Sequence, residues 1–352
     1  MRRVLSLDDY LRLLPKTELH CHFVSTMSAG MLIAQAERHG VPLATTDPAA
    51  LFDYRDLADF LVAFEAAHQV LRTPDELAAV AYDGVRAAAA AGALRYREYF
   101  VNPQSFAEVG LGYRPLMDGV IEGLRRAEAD FGVGFSVIVA IRKDVTPQQA
   151  VELVRLVADE PYPEVVGIGA DYLTAEGTED PARFADAYAL AKRLGYATTI
   201  HAGETPNAGP EDVRAALDVL HVDRIDHGYR VVDDPDLLAR VVDEQVPFDA
   251  TPISTTICSG WELGPDHRLA RLIASGANVN ISTDDAVFFR TDLGREYRER
   301  LVALGVDAAT ARRLALSGVE AAFCSPDAKA ALRARFQGEL LALDAALEPS
   351  TA

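Results

Sequence analysis

Short apolar runs rich in β-branched residues recur along the chain and alternate with longer stretches of helical periodicity. Eight runs of strand length lie at residues 17–22, 94–101, 135–141, 164–171, 196–202, 223–228, 246–251 and 277–283. The stretches between them, such as residues 209–220 and 234–245, open with proline or an acidic cap. Strand and helix alternating eight times predicts a closed parallel (β/α)8 TIM barrel rather than an open doubly wound sheet.

Three helical patterns follow one another between residues 27 and 92 without a strand. A barrel of this kind has about 250 residues, whereas this chain has 352. We therefore predict extra helices inserted after strand one, placed to cover the barrel mouth. Neither a linker nor an internal repeat interrupts the pattern, so residues 1–352 are expected to form a single domain.

Composition and charge narrow the functional classes. The chain is 49% hydrophobic and 25% charged, which is typical of a globular protein. Its 34 basic and 53 acidic residues give a net charge of −19, and no basic run offsets it, so nucleic acid is not an expected partner. No window reaches the roughly 18 apolar residues of a membrane span, and the first 16 residues carry acids and a proline where a signal peptide needs an apolar core. We expect a cytoplasmic protein that does not bind membranes.

Polar residues cluster at the predicted C-terminal ends of strands, where barrel enzymes carry their catalytic groups. The candidates are His20, His22, His201, His227, Asp284 and Asp285. Because side chains alternate faces along a strand, His20 and His22 point the same way. The three cysteines are too few and too scattered for a disulfide framework or a thiolate metal site.

Three imidazoles and a carboxylate form a ligand set that suits Zn²⁺ and leaves a position for water. Zinc lowers the pKa of such a water to about 7, so hydrolysis is the expected chemistry. Glu204 stands three residues beyond His201, where it is placed to shuttle a proton. The alternative role for Glu204 is that of an acid at the start of a helix.

Four motifs together resemble the adenosine deaminase family of the amidohydrolase superfamily: H-x-H on strand one, H-A-G-E on strand five, H-G on strand six and S-T-D-D on strand eight. The resemblance extends from residue 15 to residue 297. It implies one Zn²⁺ per chain, bound by His20, His22, His201 and Asp284. It also implies a small purine substrate. In that case Glu204 is the acid that protonates a ring nitrogen, and His227 orients the attacking hydroxide. Asp285 binds the other purine edge, and the backbone approaches the ring at Gly203.

The chemistry of deamination agrees with this assignment. Attack on an amino-bearing ring carbon destroys aromaticity, so a ring nitrogen must accept a proton as hydroxide adds, and ammonia then leaves. The strand-four run at residues 164–171 contains no lysine, and many two-metal members of the superfamily use a carboxylated lysine there. One metal ion is therefore expected.

Several positions depart from the family pattern. Val24 stands where many adenosine-acting relatives have a carboxylate, and Tyr172 stands where the family often has glycine. Thr251 and Pro252 replace the usual Cys-Pro, and strand two lacks the arginine common two residues after Glu98, as in the adenine-acting branch. We predict that Val24 and Tyr172 line a non-standard pocket, and that free adenine or a nucleoside with a modified 5′ group reacts faster than adenosine.

Two other functional classes remain open at this point. The first is a metal-dependent hydrolase of a cyclic amide or ester. The presence of Glu204 and of the pair Asp284 and Asp285 is evidence against this class. The second is a noncatalytic relative that binds a nucleoside, which would be expected to lack a metal ligand or the acid. A cytidine-type deaminase is excluded because its H-x-E and P-C-x-x-C signature is absent.

Overall fold

The computed structural model describes residues 5–55 and 57–345. The strands in this part of the chain are β1 (Lys16–His22), β2 (Leu94–Val101), β3 (Gly134–Arg142), β4 (Val165–Asp171), β5 (Ala197–Thr198), β6 (His201–Ala202), β7 (Ile225–His227), β8 (Pro247–Ala250) and β9 (Asn278–Ile281). Each predicted strand is present within two residues of its predicted bounds, except that the fifth is divided into β5 and β6.

The helices are α1 (Leu7–Leu13), α2 (Ala29–His39), α3 (Leu57–Gln69), α4 (Pro74–Gly92), α5 (Pro103–Glu108), α6 (Tyr113–Phe131), α7 (Pro147–Asp159), α8 (Ala185–Arg193), α9 (Pro210–Asp218), α10 (Pro235–Asp243), α11 (Ser254–Cys258), α12 (Arg268–Ala274), α13 (Leu293–Arg295), α14 (Leu301–Ala303), α15 (Ala308–Ala321) and α16 (Pro326–Asp344). Short 3₁₀ turns occupy Val24–Thr26, Pro181–Phe184 and Tyr229–Asp233, and a π-helical turn occupies Glu296–Arg300. None of these helices is long and apolar enough to cross a membrane.

All neighbouring strands pair in parallel, in the orders β1-β2-β3-β4-β5 and β6-β7-β8-β9. The two short pieces of strand five are joined by Thr199 and Ile200, which keep hydrogen bonds to both neighbours. The Thr199 amide donates to the carbonyl of Ile168 at 3.1 Å, and the Ile200 carbonyl accepts from the Asp226 amide at 2.9 Å. The fifth strand therefore bridges the two groups of strands.

The second seam lies between β1 and the segment that follows β9. Cys21 forms a parallel bridge with Asp284, and the His22 amide donates to the Asp284 carbonyl at 3.0 Å. The hydroxyl of Ser282 also accepts hydrogen bonds from the amides of Leu19 and His20. The sheet is thus closed, and the TIM-barrel prediction is confirmed.

Fully buried ion pairs connect separate segments of the barrel. Arg224 donates to Glu98 at 2.8 Å and lies 2.6 Å from an oxygen of Asp249, while Arg97 pairs with Glu18. All five side chains are essentially inaccessible to solvent. Buried charges of this kind are tolerated because each one has an opposite partner.

In the described part of the chain, the segment between β1 and β2 contains three α-helices, α2, α3 and α4. Helix α4 packs closely on α6, since a Cβ atom added at Gly123 would lie 2.3 Å from the carbonyl oxygen of Ala78. Helix α3 instead contributes Phe60 and Phe64 to the wall of a cavity at the carboxyl ends of the strands. Of the three helices, α3 therefore covers the site.

Candidate metal centre and active site

The predicted metal ligands converge at the carboxyl ends of β1, β6 and β9. His20 Nε2 and His22 Nε2 lie 3.1 and 3.2 Å from the same oxygen, Oδ1 of Asp284. His22 Nε2 also lies 3.2 Å from His201 Nε2. Two ligand atoms bound tetrahedrally to zinc at about 2.0–2.1 Å are separated by roughly 3.3 Å. The spacing of these side chains therefore fits a small divalent cation.

Unpaired ring nitrogens support the same conclusion. Among the described residues, His227 Nε2 is buried without a hydrogen-bond partner, and His20 Nε2 is buried with only the Asp284 carboxylate beside it. Together with His201 and Asp284 they form one group whose potential ligand atoms lie within 4.8 Å of one another, and His22, Asp284 and Asp285 form a second such group. A buried polar atom without a partner is costly unless it contacts a cation. The residues of this cluster accordingly fit a metal ion, and His227 lies inside the cluster rather than beside it.

Asp226 supports two of the imidazoles from behind. Its Oδ2 atom lies 3.2 Å from His201 Nδ1, and its Oδ1 atom lies 3.8 Å from His20 Nδ1. The hydroxyl of Thr199 donates to Oδ1 at 2.7 Å. Carboxylates that accept from the outer ring nitrogen fix the orientation of metal-binding histidines. Sequence analysis missed Asp226, although it directly precedes a strand-end histidine.

His22 has an equivalent supporting carboxylate at the end of β4. Its Nδ1 atom lies 3.5 Å from Asp171 Oδ2, and both oxygens of Asp171 accept from the Asn102 amide, at 2.7 and 2.9 Å. Asn102 and Asp171 were also missed. The available signal was an acid or amide at the carboxyl end of a predicted strand.

The imidazoles of the cluster differ in their protonation. Burial, reinforced by the neighbouring His20, lowers the pKa of His201 to about 3, and burial also holds the pKa of His227 well below its usual value. Although burial opposes it, the carboxylates of Asp285 and Asp284 raise the pKa of His22 to about 10. Neutral imidazoles are the metal-binding form, and a cation bound here would displace the proton from His22.

Glu204 follows β6 and lines the cavity beside the cluster. Its Oε2 atom lies 3.7 Å from His227 Nε2. Burial, with the nearby Asp284 carboxylate, raises the pKa of Glu204 to about 8. A carboxyl group that keeps its proton near neutral pH is suited to act as an acid.

Asp285 also lines the cavity, and its Oδ1 atom is buried without a hydrogen-bond partner in the part of the chain that the structure describes. Burial raises the pKa of this carboxyl well above its usual value. Such an unpaired group beside the metal cluster is available to a polar edge of a bound molecule.

The backbone conformation and the close packing at position 203 require a glycine. Its φ angle is +72°, in the left-handed region, and an added Cβ would lie 2.7 Å from a methyl group of Val213 on α9. Gly203 is buried but is not among the residues that line the cavity. Its approach to the purine ring stays a prediction.

The cavity above the cluster has an acidic floor and a largely apolar wall. Its lining in the described chain consists of His22, Leu57, Phe60, Leu61, Phe64, Asp171, Tyr172, Leu173, His201, Glu204, Cys258, Asp284 and Asp285. The four apolar residues from α3 form one side, and the residues that follow β4 form another. Sequence analysis did not identify the α3 residues individually, because their apolar spacing is typical of any packed helix.

The two predicted pocket residues have different positions. Tyr172 lines the cavity with a left-handed φ of +63°, and its hydroxyl donates to Oε2 of Glu65 at 3.1 Å. Val24 is buried at the start of a 3₁₀ turn and does not line the cavity. A direct effect of Val24 on substrate choice therefore stays a prediction. The apolar surface of the cavity comes mainly from α3, together with Leu173 after β4.

Comparisons with known proteins agree with this geometry. A family model described as adenosine deaminase matches residues 15–338. An adenine deaminase from Chelativorans sp. (strain BNC1) is 32% identical over 325 residues, which cover 92% of this chain and 98% of that protein. The solved adenine deaminase from Arthrobacter aurescens has a TM-score of 0.85 and 30% identity, covering 93% of this chain and 99% of its own. A zinc-bound amidohydrolase from Burkholderia ambifaria has the same TM-score and identity, covering 97% of this chain and 96% of its own.

Proposed function

Because the chain belongs to the adenosine deaminase family, we propose that it hydrolyses the exocyclic C–N bond of an adenine-type purine to give the 6-oxo product and ammonia. The observation that carries the proposal is the convergence of His20, His22, His201 and Asp284 in one cluster, beside a cavity that the largely buried acid Glu204 lines. Free adenine is the proposed preferred substrate, in line with the names of the relatives.

One zinc ion per chain would be held by His20, His22, His201 and Asp284, where it would activate a water molecule for attack on the amino-bearing carbon. Nitrogen and carboxylate oxygen donors suit this borderline cation. The zinc-bound amidohydrolase with the same fold supports this choice of metal.

The protein groups around the reacting carbon have complementary roles. Glu204 donates its proton to the adjacent ring nitrogen, which compensates for the loss of aromaticity as the oxygen of water adds. His227 is held by a 3.1 Å hydrogen bond between its Nδ1 and the hydroxyl of Thr251, so its Nε2 faces the reacting centre and orients the attacking water. Asp285 binds the opposite polar edge of the ring. The proton that the attacking water loses passes to the amino group, the C–N bond breaks, and ammonia leaves. The hydroxyl on the ring carbon returns a proton to Glu204 as the 6-oxo group forms.

The charge around the cavity argues against a nucleotide substrate. Among the described residues that line it there is no lysine or arginine. The guanidinium of Arg142 stacks on the ring of Tyr172 at 4.9 Å, but it already donates to Asp144 at 2.6 Å and Glu108 at 2.8 Å. A phosphate would therefore face carboxylates without a free cationic partner.

The apolar wall disfavours a ribose for a related reason. Leu57, Phe60, Leu61 and Phe64 carry no group that can accept or donate a hydrogen bond. A sugar hydroxyl buried against them loses its water without a replacement, at a cost of about 1–3 kcal/mol. Adenine fills the site without this penalty.

The test is a panel assay for ammonia release. The substrates are adenine, adenosine, 2′-deoxyadenosine, adenosylhomocysteine, methylthioadenosine, aminodeoxyfutalosine and AMP. We expect adenine to have the highest kcat/KM and AMP the lowest. If none of them releases ammonia, the proposed function is wrong. If adenosine is preferred, only the argument from the apolar wall is wrong, and the deaminase function stands.

A further inference from the structure

One buried carboxylate binds the three backbone amides of the segment that carries Glu204. Glu179 lies in the loop after β4 and is 2% exposed. Its Oε2 atom accepts from the Gly203 amide at 2.5 Å, and its Oε1 atom accepts from the amides of Glu204 and Thr205 at 3.0 and 2.9 Å. The Thr205 hydroxyl adds a fourth hydrogen bond, at 3.1 Å. Three consecutive amides are thus satisfied by one side chain.

The carbonyl groups of the same segment are held from the other side. The Gly203 carbonyl accepts from the Arg230 amide at 3.2 Å, and the Glu204 carbonyl accepts from the hydroxyl of Ser259 at 2.7 Å. The Arg230 side chain donates to the Thr205 carbonyl at 3.3 Å. Every backbone polar group of residues 203–205 therefore has a partner outside the segment, which leaves the peptide little freedom to rotate.

The loop that supplies Glu179 is itself closed. Thr174 and Thr178 exchange backbone and side-chain hydrogen bonds, including a 2.8 Å contact between their hydroxyls. Glu179 follows directly, so its position relative to the barrel is fixed by this turn. The carboxylate acts as an anchor between the β4 loop and the β6 loop.

We propose that Glu179 is a positioning residue for the reaction: by binding the amides of residues 203–205, it aims the Glu204 carboxyl at the purine ring nitrogen. This inference rests on the proposed function, in which Glu204 is the proton donor. Glu179 does not touch the substrate, because it is not among the residues that line the cavity. An error of about 1 Å in the placement of a reacting group costs roughly 10²-fold in rate.

Glutamine at position 179 is the sharpest replacement. It has nearly the same shape, but only one of its two terminal atoms is an acceptor, whereas both oxygens of Glu179 accept hydrogen bonds. The amide NH₂ of Glu179→Gln would face at least one backbone N–H, and the segment would shift. We expect kcat for adenine to fall about 10- to 100-fold, with KM changed less than threefold and one zinc retained per chain.

A double-mutant cycle separates positioning from a general structural role. If Glu179 acts through Glu204, then Glu179→Gln lowers kcat less than threefold in the Glu204→Gln background. The inference would be overturned if the two decreases in kcat multiply in the double variant. It would also be overturned if Glu179→Gln loses zinc or has an unchanged kcat. If Glu204→Gln alone has the kcat of the wild type, the proposed acid is wrong and the inference falls with it.

Two further variants complete the experiment. Thr205→Val removes only the hydroxyl donor to Glu179 and preserves side-chain shape, so it tests the same anchor if Glu179→Gln fails to fold. The inference is supported if Thr205→Val lowers kcat less than Glu179→Gln does and if this loss disappears in the Glu204→Gln background. The inference is overturned if Thr205→Val leaves kcat unchanged. Glu176→Gln removes an exposed carboxylate from the same loop and is expected to leave kcat within twofold of the wild type.

Discussion

The Nε2 atoms of His22 and His201 lie 3.2 Å apart, although 179 positions separate the two residues in the chain. Both side chains are more than nine-tenths buried, and Asp284 Oδ1 lies 3.2 Å from the same nitrogen of His22. Closure of the barrel brings these three strand ends together. The arrangement leads directly to predictions about the metal and the residues around it.

The metal prediction concerns stoichiometry and ligands. Purified protein is expected to contain about one zinc per chain, and His201→Ala is expected to abolish zinc binding because it removes one donor of the tetrahedral set. Elemental analysis of both proteins provides the measurement. Full activity after exhaustive chelation, with no metal remaining, would rule out the proposed centre.

The acid prediction concerns Glu204. Glu204→Gln cannot donate the proton but preserves shape, so kcat is expected to fall about 10²- to 10⁴-fold while zinc content and KM remain close to wild type. Steady-state kinetics with adenine measures both constants. A change confined to KM would assign Glu204 to substrate binding instead.

The prediction for Asp285 concerns binding as well as rate. Asp285→Asn replaces one of the two carboxyl oxygens, and leaving a buried hydrogen-bonding group of the purine without its partner costs about 1–3 kcal/mol. KM for adenine is therefore expected to rise roughly tenfold or more, together with a lower kcat. An unchanged KM would place the opposite edge of the purine elsewhere.

The specificity prediction distinguishes α3 from Val24. Leu61→Asn gives the cavity wall a hydrogen-bonding group and is expected to raise kcat/KM for adenosine relative to adenine about tenfold. Val62→Asn, on the same helix but 70% exposed, is the matched control and should leave this ratio unchanged.

Val24→Asp tests the expectation from the sequence. Because Val24 is 2% exposed, an aspartate there buries a charge, and a lower thermal midpoint is expected without a gain in adenosine turnover. A stable Val24→Asp protein with higher adenosine activity would show that Val24 does face the sugar.

The packing prediction compares two helical glycines. Gly123→Ala on α6 places a methyl group 2.3 Å from the Ala78 carbonyl oxygen of α4, so the free energy of unfolding should fall by about 1–3 kcal/mol. Gly338→Ala on α16 meets no atom within 4 Å and should raise stability by about 0.5–1 kcal/mol through helix propensity. Chemical denaturation measures both, and equal effects would contradict the close α4–α6 contact.

The sequence by itself determined the order and approximate bounds of the strands, and therefore the barrel. Apolar runs and helix caps are local signals, since each depends on a few neighbouring residues. The same logic identified His20, His22 and Asp284, because a residue at the carboxyl end of a barrel strand must face the common mouth. The closed ladder of parallel strands confirms the barrel prediction.

The tertiary structure decided which side chains act on one another across the barrel. Asp226 supports His201, and Glu179 binds the amide of Glu204, a residue 25 positions away. Neither contact leaves a local pattern, because a carboxylate in a loop or on a strand has the same sequence signature whatever it binds. Proximity in sequence to the metal ligands suggests Val24 as a pocket residue, but it does not suggest Phe64, which lines the cavity because α3 packs over the barrel mouth. Chain neighbours fix backbone conformation, but the partners of a buried polar group are set by spatial neighbours that only the folded barrel brings together.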